Sequence, residues 1–276
     1  MGRLVAGQYE LIGAIGRGPT GTVWRAEHRG TREAFAVKLL DAQFVNDVTV
    51  VDRFVRERHV LSTFLHPAIV RVRELVADGV DLALTGELVE GPDLRQEIGM
   101  AGSLAPEVAV GVAVRCADAL AAAHLVGVVH CDVKPANVLL TADGEVRLTD
   151  CRVARLARGY REGVSRFGNP EYAAPEVILG GPPVPASDVY GLGLILYEAL
   201  TGTPLCHGDD PSQVLGQHLR GRPVVPVEVP PALRDVVEAT LAVDPQARPR
   251  ADEVAGMLRR LLAGWRRAAL PALPAL

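Results

Sequence analysis

Apolar positions along the chain fall first into short strand-like runs, at 9–15, 22–28 and 34–40, and again at 69–76 and 81–85. Between them, residues 50–65 place Phe54, Val55, Leu61, Phe64 and Leu65 at helical spacing, which predicts one helix with a buried face and Glu57 as its inward acid. Residues 86–92, from Gly86 to Gly91 and Pro92, read as a connector. Beyond it the pattern turns helical. Ser103 is placed to cap a helix that carries Pro106 in its first turn and runs to about His124. Ser187 is placed to cap another over 188–200, and two more follow around 232–242 and 251–265. The predicted class is α+β, a single domain of two lobes. A small β-rich lobe with one helix covers 8–86, a connector 87–91, a larger and mostly helical lobe 92–265, and a short Pro/Ala/Leu tail 266–276. A site between two such lobes is the natural expectation.

The helical half contains one strand-like interruption. Residues 138–141, 142–145 and 146–149 read as strand, turn and strand, with Asp143-Gly144 as the hairpin signal. A hairpin brings its ends together, so Asn137, entering the first strand, and Asp150, leaving the second, are expected to meet. A carboxylate beside an amide oxygen is a hard donor pair of the kind Mg²⁺ prefers when it is shared with phosphates. Just before the hairpin, His130-Cys131-Asp132-Val133-Lys134-Pro135-Ala136-Asn137 gathers an acid, an ammonium and an amide within six residues.

Charge usage adds a second signal. Of 29 Lys and Arg residues only two are Lys, Lys38 in the third strand-like run and Lys134 in the polar cluster. Lys offers a compact point charge suited to phosphate oxygens, whereas Arg brings a planar fork. A third signal is Gly16-Arg17-Gly18-Pro19-Thr20-Gly21, where three glycines let the backbone approach a ligand and offer N–H groups to phosphate. The loop is followed by a strand rather than a helix, which argues against a dinucleotide-binding βαβ unit.

Composition narrows the classes. Apolar residues make up 49% and charged residues 22% at a net charge of −4, an ordinary globular balance with no basic block to suggest nucleic acid. The most apolar stretch, 104–129, is interrupted by Glu107, Arg115, Asp118 and His124, so no membrane span is expected. Four cysteines without paired metal spacing fit a reducing compartment, and a cytoplasmic location is the expectation.

Taken together, these residues closely resemble the eukaryotic-type Ser/Thr protein kinases found in bacteria. The likeness runs from about Gln8 to Leu262. It rests on Gly16-x-Gly18-x-x-Gly21-x-Val23, Phe35-Ala36-Val37-Lys38, Glu57 ahead of His66-Pro67, Asp132-x-Lys134-Pro135-x-Asn137, Asp150, Ala174-Pro175-Glu176, Asp188 and Arg248. The resemblance implies a bilobal kinase fold and an enzyme that transfers the γ-phosphoryl group of ATP, with Mg²⁺ or Mn²⁺, to Ser or Thr of a protein substrate. Lys38 would hold the α- and β-phosphates and pair with Glu57. Asp132 would orient the acceptor hydroxyl and take its proton, Lys134 would neutralise the γ-phosphate, and Asn137 with Asp150 would hold the metal. Gly16, Gly18, Gly21, Val23, Ala36 and Leu139 would contact the nucleotide, with the Glu87 carbonyl and the Val89 N–H facing adenine. Glu176 and Arg248 would form a buried structural pair.

The chain departs from that pattern at several places. Cys131 stands where the family has an Arg that meets a phosphorylated residue in the segment 150–176, and that segment contains no Thr, only Tyr160, Ser165 and Tyr172 as hydroxyl bearers. The two losses agree, which implies a kinase not switched on by phosphorylation there. Asp150-Cys151-Arg152 replaces Asp-Phe-Gly, and Gly86 replaces a bulkier residue behind the adenine site; either an enlarged back pocket or compensating bulk, such as Phe64, is expected. Asn169 replaces a Thr that in relatives bonds the catalytic Asp and Lys. Two rival readings are a pseudokinase that works through partner binding and a small-molecule phosphotransferase, the latter opposed by Lys134 and Ala174-Pro175-Glu176.

Overall fold

The computed structural model describes residues 2–63, 65–78, 81–151, 169–220, 224–227 and 229–268, with the main chain alone at 53, 57–63 and 266–268. They divide into two compact units, Met1–Gly91 with Leu139–Gly168, and Pro92–Val138 with Asn169–Leu276.

The first unit is built on an antiparallel sheet of six strands: β1 (Leu4–Val5), β2 (Tyr9–Gly18), β3 (Gly21–His28), β4 (Ala34–Leu40), β5 (Val72–Ala77) and β6 (Leu82–Glu87), in the order β1-β2-β3-β4-β6-β5. Period-two alternation sorts its side chains. Phe35, Val37 and Leu39 of β4 join Val5, Tyr9, Leu11, Ala26, Val76 and Ala83 in one core cluster. Leu40 belongs to a second cluster, with Phe54 of helix α2 (Val48–Thr63), Phe44 of the short helix α1 (Ala42–Val45), and Leu75, Leu82 and Leu84. Burying each of the larger apolar side chains contributes about 1.5–3 kcal/mol. Two elements lie outside the sequence expectation. Strand β1, two residues long, is too short to show a period; it turns into β2 through Ala6 and Gly7, both at positive φ. Four-residue α1 is likewise below the length at which helical spacing shows.

The hairpin expected after Asn137 is present as β7 (Val138–Leu140) and β8 (Val146–Leu148). From Leu139 on it clusters with the first unit. The physical reason is main-chain bonding. The Val70 N–H donates to the Leu148 carbonyl at 2.8 Å, and the Leu148 N–H donates to the Ala68 carbonyl at 2.8 Å.

The second unit contains α3 (Leu94–Ala101), α4 (Pro106–Leu125), α5 (Pro175–Ile178), α6 (Pro185–Thr201), α7 (Pro211–His218), α8 (Pro231–Thr240) and α9 (Ala251–Ala268). Helix α4 is long and apolar enough to cross a membrane, but Ala109, Val110, Ala113, Cys116, Ala117 and Leu120 are buried in this unit, where α4 packs on α6 and α9. Neither serine cap holds. Helix α4 starts from Ala105 and α6 from Val184, each with Pro at its first position, because proline's fixed φ sets a helix start without a side-chain cap. Ser187 sits inside the first turn, where its hydroxyl accepts from the Val184 N–H at 3.1 Å and donates to Glu176 at 2.5 Å. Helix α3 was not expected, though Asp93 and Gln96 close a reciprocal capping box at its start.

Gly86 sits where the sheet leaves no room for a side chain. It pairs with Ala36 and Val72 in the sheet, and a Cβ built on it would lie 2.7 Å from the Arg71 carbonyl oxygen. That carbonyl accepts from the Glu87 N–H at 3.1 Å, so it is not free to retreat. A side chain at residue 86 would therefore meet the main chain of Arg71 and Val72; Phe64, expected as compensating bulk, lies outside the described residues. Gly86→Ala should lower stability by about 1–3 kcal/mol through displacement of β5, read as a fall in the urea midpoint at unchanged slope.

Candidate active site

The segment 130–137 is shaped by one carboxylate. Asp188, in the first turn of α6 and 2% exposed, accepts from the His130 N–H at 2.7 Å, the Cys131 N–H at 2.8 Å and His124 Nε2 at 2.8 Å. Three donors satisfy a buried carboxylate that would otherwise be costly. They also hold Cys131 at φ 73°, a left-handed conformation that costs a non-glycine residue roughly 1–2 kcal/mol. The small thiol turns back on its own segment, with Sγ 3.3 Å from the Val129 carbonyl.

Past that kink the polar groups converge. Lys134 Nζ donates to Asp132 Oδ2 at 2.7 Å, and Asn137 Nδ2 donates to Asp132 Oδ2 at 2.9 Å and to its carbonyl at 2.7 Å. Lys134 is extended, and Pro135–Asn137 form a single 3-10 turn that swings Asn137 back toward Asp132. Lys134 and Asn137 are 9% and 4% exposed, so these bonds work at reduced dielectric and fix the Asp132 carboxylate. The acid, ammonium and amide read from the sequence thus form one hydrogen-bonded group.

In the first unit, Lys38 Nζ forms an ion pair with the Asp150 carboxylate, and Asp150 is itself held at φ 60°. Lys38 is 9% exposed, so the pair is largely withdrawn from water. The expected partner, Glu57, lies on α2 with its side chain outside the described residues. The glycine loop is the tip of the β2–β3 hairpin, with Gly18 opposite Gly21. Gly16 and Gly18 open on free space, whereas a Cβ on Gly21 would overlap the Leu39 carbonyl. The third glycine therefore allows the close approach of β4. Val23, Ala36 and Leu139 are half-buried apolar residues of this unit, and Val23 is paired with Lys38 across the sheet. Glu87 is anchored through its carboxylate, which accepts from Arg147 at 3.2 Å, and Val89 follows it half-buried.

Asn137 and Asp150 fall in different units. Each retains one oxygen outside the bonds given above: the Asn137 NH₂ group is spent on Asp132, which leaves Oδ1, and Asp150 meets Lys38 through Oδ2, which leaves Oδ1. Each such oxygen is by itself a hard donor of the kind Mg²⁺ takes. Among the described residues no group of three or more His, Cys, Asp or Glu side chains is arranged to hold a metal by itself.

A further polar network supports the second unit. Arg248, whose side chain is fully buried, uses all five of its donors. Nη1 and Nη2 reach Glu176 at 2.9 and 2.8 Å, and the remaining bonds go to the carbonyls of Ala186, Val243 and Ala242 at 2.8, 3.1 and 2.7 Å. Burial alone would raise the Glu176 carboxyl, but the bonds from Arg248 and Ser187 outweigh it and hold it below the usual range. Arg95 of α3 donates to the Tyr172 hydroxyl at 2.7 Å and to Glu171 at 3.3 Å, while Tyr172 donates to the buried Glu198. Sequence reading had no signal for this second cluster, because its members are 95, 171, 172 and 198 and no local pattern joins them. Arg152, Arg155, Arg158, Arg161, Arg166, Tyr160 and Ser165 lie outside the described residues. Arg248→Lys, which replaces a five-donor fork by a single ammonium, should cost about 3 kcal/mol or more and show as a lower denaturant midpoint, with Glu176→Gln losing a comparable amount.

Comparison with known proteins bears on what this geometry is for. The Streptomyces coelicolor protein named serine/threonine-protein kinase PkaA is 44% identical over 280 residues, covering 95% of this chain and 51% of that protein. Serine/threonine-protein kinase PkaB of the same organism is 42% identical, covering 95% and 65%. Serine/threonine-protein kinase PknA of Mycobacterium tuberculosis is 34% identical over 270 residues, covering 93% and 63%. The chain thus spans about half to two thirds of the length of these relatives. The model of the protein kinase domain matches residues 9–257, and with these relatives it establishes that the chain belongs to the protein kinase family.

Proposed function

We propose that this chain is an ATP-dependent protein kinase that transfers the γ-phosphoryl group to Ser or Thr of a protein substrate. The observation that carries the reading is the Asp132–Lys134–Asn137 group, in which one carboxylate is oriented by an ammonium and an amide. Phosphoryl transfer asks little covalent chemistry of a protein and much positioning and charge neutralisation. Asp132 accepts the proton of the acceptor hydroxyl as its oxygen bonds to the γ-phosphorus, while the bond from that phosphorus to the β–γ bridging oxygen breaks and ADP leaves with the electron pair. Lys134, beside it, balances charge on the γ-phosphate. Lys38 neutralises the α- and β-phosphates, and the glycine loop covers them with main-chain N–H groups. Val23, Ala36 and Leu139 offer apolar surface to the base, with the Glu87 carbonyl and Val89 N–H as its hydrogen-bonding edge. Asn137 and Asp150 would hold Mg²⁺ or Mn²⁺, which neutralises phosphate charge when bound.

Phosphorylation of the segment 150–176 is not required in this reading. Residue 131 offers a buried thiol in place of a cation that could receive a phosphate. Tyr172, one of the three hydroxyls of that segment, is already committed to Glu198.

A second reading, a kinase fold that binds partners without transferring phosphate, draws on Asn169. Its Oδ1 accepts from the Glu171 N–H at 3.1 Å and its Nδ2 donates to the Glu171 carboxylate at 3.1 Å, so its amide is spent on its own turn. One assay separates the two. Purified protein with labelled ATP and Mg²⁺ or Mn²⁺ should label a generic protein acceptor on Ser or Thr, and Asp132→Asn should reduce the rate by about 10²–10⁴ while still binding nucleotide. Nucleotide binding without transfer by the unaltered protein would establish the second reading. Ser165→Ala should leave kcat/KM within about twofold; its loss in a folded variant would show that the segment needs its phosphate after all.

A further inference from the structure

His218, the last residue of α7, is 2% exposed and stands between two hydrogen-bond partners. Its Nε2 lies 2.9 Å from the carbonyl oxygen of Pro170 and its Nδ1 lies 2.8 Å from the hydroxyl of Tyr190 on α6. A carbonyl oxygen can only accept, so Nε2 carries the proton; the Nδ1 lone pair then accepts from the phenol. Burial pushes the imidazole down to about 4, so at neutral pH it keeps this one-donor, one-acceptor form. Neither nitrogen is left over for a metal or for acid–base work, and what the residue does is hold the Pro170 carbonyl.

That carbonyl belongs to a turn that opens the second stretch of the second unit, and it also accepts from the Ala173 N–H at 3.4 Å. Pro170–Tyr172 form a single 3-10 turn capped by Asn169. Its far end is held at Glu176 by Arg248, whose guanidinium lies 4.8 Å over the ring of the same Tyr190 that bonds His218. Both ends of 170–176 therefore rest on Tyr190. The turn is also tied toward Asp132. Arg95 bonds Tyr172 and Glu171, and its helix α3 packs against Pro135–Asn137, the turn that carries Asn137 to Asp132. A shift of the Pro170 carbonyl would pass through this route to the place where the acceptor hydroxyl must sit, while the residues assigned to the nucleotide base and to its α- and β-phosphates all belong to the first unit.

We propose that His218 is a positioning residue for the protein acceptor: by bridging Tyr190 to the Pro170 carbonyl it sets the turn 169–172 against the Asp132 group, and it acts on acceptor use and not on ATP binding. This rests on the kinase reading above. A misplacement of about 1 Å in such a turn can cost up to 10²-fold in rate.

Three variants of the full chain test it. His218→Leu removes both bonds; His218→Gln supplies an N–H for Pro170 and an oxygen for Tyr190; Tyr190→Phe removes one bond only. His218→Leu should lose roughly 10-fold or more in kcat/KM for a protein acceptor, with ATP dissociation within about twofold of the unaltered chain. His218→Gln should recover most of the loss. Backbone amides 171–173 should exchange faster in the Leu variant and be protected again in the Gln variant. Unchanged acceptor kinetics in a folded Leu variant, a parallel loss of ATP affinity, or no recovery by Gln would each overturn the assignment while leaving the kinase reading intact. Should the Leu variant not fold, Tyr190→Phe decides, with a loss of about threefold for the acceptor alone expected and no change overturning it. An unaltered chain that labels no acceptor would overturn the kinase reading and this role together.

Discussion

A single buried carboxylate organises the polar machinery of the second unit. Asp188 draws two successive main-chain N–H groups onto its oxygens and takes a third bond from His124. The left-handed turn at Cys131 follows from that pull, and the convergence of Lys134 and Asn137 on Asp132 follows the turn. The arrangement converts burial, ordinarily a penalty for a charged group, into rigidity, because each oxygen of Asp188 is satisfied by donors that cannot easily move apart. Removing Asp188 would release the loop's strained conformation as well as the hydrogen bonds that compensate for it.

A second constraint acts on the network around Arg248. Its guanidinium fills every donor position, so Glu176, the starts of α5 and α6, and the carbonyls near 242–243 share one fixed point. Tyr190 packs beneath that point and reaches His218. The stability of the second unit and the placement of its turn at 170–172 are in this way the same set of contacts viewed from two ends.

How much of this was legible beforehand depended on how local each signal was. Strands β2, β3 and β4, helix α2 and the β7–β8 hairpin carry their periods or turn residues within a dozen positions, and their approximate extents could be read directly. The grouping of Asp132, Lys134 and Asn137 was visible because six residues of sequence span it. Strand β1 and helix α1 were too short to show a repeat, and α3 escaped although Asp93 and Gln96 announced its cap. Long-range relations left the least trace. Gly21 and Gly86 look like ligand-facing or pocket-opening glycines in sequence, yet each accommodates a neighbouring main-chain carbonyl, Leu39 in one case and Arg71 in the other. The second cluster of Arg95, Glu171, Tyr172 and Glu198 brings together residues up to 103 positions apart, and only the folded chain joins them.

The scarcity of lysine has a practical side. The chain's two side-chain amines are both about nine-tenths buried and each is held by a carboxylate, Lys38 by Asp150 and Lys134 by Asp132. Reagents that acylate side-chain amines consequently find no exposed lysine to consume them. A lysine adduct recovered by mass spectrometry would come from one of these two positions, so that lysine acylation becomes a footprint of the site with almost no background from the rest of the surface.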